Sequence, residues 1–175
     1  MIQGIEDPDW MLTESFAPIF AALQENGLAF DALTLPVHLA NLHTLLQRHE
    51  GLTCVIDHAS KPVIREGAFR EWADGMERIA RDTRAYCKLS GLATEAGERW
   101  SLETAKPYVD HLLGTFGPAR MIWGSDWPVC TLATPYQDWA DMTDNLLAAL
   151  SDTERAAIID QLGYIGFGVS DLAAW

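Results

Sequence analysis

Apolar positions along the chain fall into two alternating rhythms. Short runs rich in β-formers predict strands at 28–35, 52–58, 84–91 and 120–126. Between them, longer stretches with apolar residues three and four apart predict helices at 12–26, 37–49, 69–81 and 102–116. Two more helices follow the last strand, one after Pro135 and one from Asp152 to about residue 162, the second opened by Ser151 and Glu154 in capping-box spacing. Leu39, Leu42, Leu45 and Leu46 line one helical face, and Trp139, Met142, Leu146 and Leu150 another. Such alternation predicts a parallel sheet covered by helices. Units of roughly 25 to 35 residues suit either a barrel or an open doubly wound sheet, and periodicity does not choose between them.

In both architectures ligands lie beyond the carboxyl ends of the strands, so polar residues closing apolar strands are the candidates for chemistry. LTCVI runs into Asp57 and His58, AYCKL ends in Ser90 and Gly91, and RMIWGS ends in Asp126 before Trp127 and Pro128. A lone histidine is more often a packing residue, but an imidazole at one strand tip and a carboxylate at another can share a cation or exchange a proton with water. Asp57, adjacent to His58, points the other way in a regular strand, and serves either to orient its neighbour or to act directly. Asp126 is either a turn-initiating residue or a functional carboxylate. The second reading is favoured because Ile122, Gly124 and Asp126 share one face of a strand, with glycine leaving room beneath the carboxylate. Alternation also turns Lys88 and Ser90 inward, where the ammonium needs a partner: a substrate carboxylate, Asp126 or another buried acid. Trp100, Trp123 and Trp127 fit packing better than a sugar platform, and His38, His43, His49 and His111 fall in helices. No G-x-S-x-G, G-x-G-x-x-G or P-loop pattern is present.

The 175 residues, 49% of them hydrophobic, support one sizeable core and a single domain. Twenty-five acidic against 12 basic residues give a net charge of −13, with no basic cluster to bind nucleic acid. Cys54, Cys87 and Cys130 lack zinc or disulfide spacing, the amino terminus has no basic leader, and no run of roughly 18 apolar residues predicts a membrane span. A cytoplasmic protein without membrane contact is expected.

Taken in order, FDALTLPVHL, CVIDHASKP, YCKLSGL and MIWGSDWPVC resemble blocks of the amidohydrolase-2 group of the amidohydrolase superfamily, in its sugar-lactonase and 2-pyrone-4,6-dicarboxylate hydrolase branch. The resemblance runs from Met1 to about Leu150. It implies an α/β fold, a partial (β/α)8 TIM barrel, in which residues 1–4 match the end of strand four and the four predicted strands match strands five to eight. The family's first strand carries a His-x-His pair, and no such pair occurs here, so the resemblance covers the carboxyl-terminal portion of a barrel of roughly 250 residues. The family's usual carboxyl-terminal pattern is also replaced, by GYIGFGVSDLAAW.

By this resemblance Asp126 is the general base and His58 its assistant, with Lys88, Ser90, Gln3 and Trp127 near the substrate. Where a divalent cation is used, zinc or manganese, Asp126 and His58 are its expected ligands; some members of the branch use none. The implied reaction is opening of a sugar-acid lactone or related cyclic ester by water. Two alternatives stand beside it: a non-catalytic partial barrel that self-associates through open strand edges, and a metal-dependent decarboxylase of the same superfamily.

Overall fold

A computed structural model of the chain describes residues 7–160, and in it the four strands form one parallel sheet in the order β1 (Phe30–Ala32), β2 (Cys54–Ile56), β3 (Tyr86–Leu89), β4 (Met121–Trp123). Each strand pairs with its sequence neighbour, Ala32 opposite Ile56, Ile56 opposite Cys87, and Cys87 opposite Met121. A doubly wound sheet reverses direction at a switch point, whereas these strands advance one way, as in a barrel wall.

Seven helices among the described residues cover this wall: α1 (Ala17–Glu25), α2 (Leu39–Arg48), α3 (Arg70–Asp82), α4 (Leu92–Ala96), α5 (Leu102–Phe116), α6 (Tyr136–Leu146) and α7 (Asp152–Asp160). Leu39, Leu42, Leu45 and Leu46 of α2 are all buried, as their spacing predicts. On α6 Trp139 and Leu146 are buried, while Met142 and the following Leu150 are partly so. The capping box before α7 forms as expected: Ser151 N–H donates to Glu154 Oε2 at 2.9 Å, and Glu154 N–H to Ser151 Oγ at 3.3 Å. The last predicted residues of that helix lie outside the described range.

Two expectations need correction. The segment 12–26 is not one helix: a short 3-10 turn at Trp10–Leu12 precedes α1, which has Pro18 in its first turn, where proline's fixed φ and missing N–H are tolerated. The strands are also shorter than the apolar runs. β2 stops at Ile56 and β4 at Trp123, because the chain then turns into 3-10 and left-handed conformations that leave the ladder. That early stop sets the geometry of the rim.

Candidate active site

After β2 the chain makes an unusual turn. His58, Ala59, Ser60 and Lys61 all have positive φ, between 49° and 58°. For residues bearing a Cβ this conformation costs roughly 1–2 kcal/mol each. It persists because the surroundings fix it from several sides. The Trp72 indole N–H donates to Ala59 O at 2.7 Å, Ser60 Oγ bonds Thr34 Oγ1 at 2.7 Å in full burial, and Lys61 Nζ meets Glu95 Oε1 at 2.7 Å. Strain held in place in this way marks rims where side chains must be aimed.

The turn gathers side chains that regular alternation would separate. Because β2 has already ended, Asp57 and His58 face the same cluster, which corrects the expectation that Asp57 points away. His58 Nε2 lies 3.5 Å from Asp57 Oδ2 and 3.6 Å from Asp126 Oδ1, while His58 Nδ1 is 2.7 Å from Ser90 Oγ. Gly91 lets the ring lie this close: a Cβ there would fall 2.8 Å from His58 Cγ. Asp126 likewise leaves the strand pattern, at φ 55°, its carbonyl accepting from Cys130 N–H at 2.8 Å. The Trp139 indole N–H fastens the preceding Gly124 carbonyl at 3.0 Å.

Lys88 and Ser90 point inward, as alternation predicts. The ammonium finds acids from β1 and from the turn after β2: Asp57 Oδ1 at 2.8 Å and both oxygens of Asp31 at 3.3 Å. The room predicted above Gly124 is therefore filled, since a Cβ there would come within 3.2 Å of Ser90 and 3.4 Å of the Lys88 stem.

Trp127 is 67% exposed, next in sequence to the catalytic candidate but turned out to the rim. Gln3 lies outside the described residues. Asp31, Lys61 and Glu95 carry site charge that the sequence reading passed over. The signal for Asp31 was a carboxylate inside an apolar strand, complementary to the lysine inside another. His38 packs in burial, its Nδ1 accepting from Leu35 N–H at 3.0 Å.

Burial raises the Asp126 carboxyl above the ordinary aspartate range; the charges of Asp57 and Glu95 push the same way, and those of His58 and Lys61 oppose them. Asp31 is raised for the same first reason, with Asp57 adding and Lys88 and His58 subtracting. Burial pulls Lys88 down, but Asp57 and Asp31 outweigh it and hold the ammonium above its usual range. The cluster is thus a protonated lysine and a histidine among carboxylates, two of which, Asp31 and Asp126, have their ionisation opposed by burial.

The residues present do not by themselves fit a metal centre. Among the described residues no three His, Cys, Asp or Glu side chains are grouped to hold an ion, and the negative charge of Asp57 is already matched by Lys88. Among the same residues no helix is long and apolar enough to cross a membrane.

Residues 2–160 match the family model described as amidohydrolase. Over 139 residues the chain is 42% identical to an L-fucono-1,5-lactonase of Burkholderia ambifaria, covering 79% of this chain and 48% of that protein. The crystal structure of an amidohydrolase from Burkholderia multivorans with bound zinc superposes with a TM-score of 0.87 at 33% identity, covering 93% of this chain and 60% of the other. A probable 2-pyrone-4,6-dicarboxylic acid hydrolase from Acinetobacter baumannii, with citric acid bound, shares the fold at a TM-score of 0.73 and 18% identity, over 90% of this chain and 59% of that one. The chain spans about half the length of the curated relatives it matches. The one-way parallel wall is therefore part of a TIM barrel, and the chain belongs to the amidohydrolase family.

Proposed function

We propose that this chain carries one side of the active site of a hydrolase that opens a sugar-acid lactone by attack of water, with Asp126 as general base. The observation that carries the reading is the placement of His58 Nε2 at 3.5 and 3.6 Å from the carboxylates of Asp57 and Asp126, at the carboxyl ends of two barrel strands. Those separations exceed direct hydrogen bonds and leave the ring and both carboxylates converging on one point of the rim, where an attacking water would meet them together. The 42% identity to an L-fucono-1,5-lactonase supports an aldonolactone as the substrate class.

A water held at the rim beside Asp126 and His58 gives its proton to Asp126 Oδ1 as its oxygen bonds to the lactone carbonyl carbon. The carbonyl oxygen becomes an oxyanion, and collapse of the tetrahedral adduct breaks the bond to the ring oxygen. That oxygen takes the proton back from Asp126, leaving the open hydroxy acid and a carboxylate base ready for another turn. The raised Asp126 carboxyl suits both halves of the exchange, since a base near its own proton affinity also returns the proton readily. Lys88 and Ser90 border the substrate from the floor, where Lys88 adds positive potential and Ser90 holds His58, and Trp127 offers an apolar rim to the sugar ring.

Aldonolactone hydrolysis by a barrel that joins this chain to the remaining half of the lactonase relative tests the assignment. Asp126→Asn is expected to lower kcat by roughly 10²- to 10⁴-fold, the usual contribution of a general base. A variant that folds and keeps the parent rate would remove Asp126 from the mechanism.

A further inference from the structure

The proton on the His58 ring is fixed by two neighbours whose demands agree. Ser90 is 1% exposed, and its hydroxyl lies 2.7 Å from His58 Nδ1. A buried hydroxyl proton left without an acceptor is destabilising, and Nδ1 is the acceptor this geometry supplies. On the far side of the ring, Nε2 faces Asp57 Oδ2 at 3.5 Å and Asp126 Oδ1 at 3.6 Å. The three side chains are 17%, 13% and 10% exposed, so water screens them weakly. A bare nitrogen lone pair there would face two carboxylates; an N–H is attracted to both.

We infer that Ser90 is a positioning residue that donates its hydroxyl hydrogen to His58 Nδ1 and so holds the neutral ring as its Nε2–H tautomer, aimed between Asp57 and Asp126. Gly91 completes the cradle, because any larger residue would press on the ring from 2.8 Å. The consequence for catalysis rests on the lactone-opening reading above. In this tautomer the neutral imidazole has no lone pair toward the site, so it cannot take the proton of the attacking water; that task falls to Asp126. His58 instead offers an N–H, which orients the carboxylates and donates to an oxygen that gains charge during the reaction.

The tautomer is measured on the chain itself, without turnover. In uniformly ¹⁵N-labelled protein at alkaline pH, where imidazoles are neutral, long-range ¹H–¹⁵N correlation distinguishes protonated from bare ring nitrogens, and His58→Gln identifies the His58 signals by their loss. The expected wild-type pattern is a protonated Nε2 and an unprotonated Nδ1 shifted upfield by an accepted hydrogen bond. Ser90→Ala is expected to move Nδ1 downfield to the position of a free acceptor, and Ser90→Thr, which keeps the hydroxyl, to retain the wild-type shift. A protonated Nδ1 in the wild type overturns the inference, as does a Nδ1 shift indifferent to the loss of the hydroxyl. Should Ser90→Ala not fold, the wild-type tautomer and the Ser90→Thr shift still decide. Failure of the lactonase reading leaves these spectra unaffected, so the two results are separable.

Discussion

Asp126 is held in a place that disfavours its charge, and stability and activity should therefore respond to it in opposite directions. Its folded-state pKa is raised, first by burial. The folded protein accordingly binds the proton more tightly than the unfolded chain, and ionisation removes stability as pH rises from the ordinary aspartate value through the raised one. Asp126→Asn removes that burden. At neutral pH the variant should melt at a higher temperature than the parent by calorimetry, with the difference shrinking as pH falls below the ordinary aspartate range. Equal melting temperatures at every pH would show that the carboxylate is better solvated than its surroundings indicate. The same shift predicts that the acid limb of kcat/KM in a completed barrel lies above the usual carboxylate range. Asp57→Asn, which removes a charge that raises Asp126, should move that limb downward. Lys88 answers differently, because it holds two acids together. Lys88→Met leaves Asp57, 13% exposed, beside Asp31 without their shared cation, at an expected cost of about 2 kcal/mol in urea unfolding. Asp31 is 41% exposed, which keeps the figure below that of a fully buried pair.

At the scale of elements, the sequence revealed what periodicity and charge control and concealed what backbone conformation controls. The four strands, the leucine face of α2 and the Ser151–Glu154 cap follow from spacing alone, as does the inward direction of Lys88 and Ser90. The positions of Asp57 and Asp126 did not. Their orientation depends on β2 and β4 ending two or three residues early, in left-handed turns that no glycine or asparagine announces. His58, Ala59, Ser60 and Lys61 carry no local preference for that conformation; it is imposed by distant partners, Trp72, Thr34 and Glu95. Nothing in a single linear pattern encodes such a contact. The turn should accordingly be sensitive to its supports. Trp72→Phe keeps the ring but loses the bond to Ala59 O, and is expected to destabilise by about 1–3 kcal/mol, the cost of an unpaired buried carbonyl. It should also lower lactone hydrolysis in the completed barrel, because His58 begins that turn. Full activity in a destabilised variant would mean that the turn serves folding alone.

For the whole molecule, the governing fact is that one wall of a barrel is not a closed barrel. β1 and β4 each have one sheet neighbour among the described residues, which leaves the outer side of each without a strand partner there. Exposed apolar side chains flank the same two strands, Leu28 and Val37 around β1, and Trp127, Val129 and Leu132 after β4. Strand edges with apolar neighbours invite pairing, and two copies of a one-way four-stranded wall satisfy one another if β4 of each lies beside β1 of the other, in a closed two-fold arrangement. A net charge of −13 per copy opposes that approach at low ionic strength and less so in salt. The chain alone is therefore expected to show a mass by light scattering that rises from monomer toward dimer as salt is added. Leu132→Lys, which places a charge on the most exposed of these apolar residues, should hold it as a monomer. Turnover does not follow from such pairing, since Asp126 and His58 would then meet a second copy of the same wall where the relatives, about twice this length, have other residues. Little or no hydrolysis of aldonolactones is expected from the chain in either state. A salt-independent monomer with measurable lactonase activity would show that these four strands need no further wall to work.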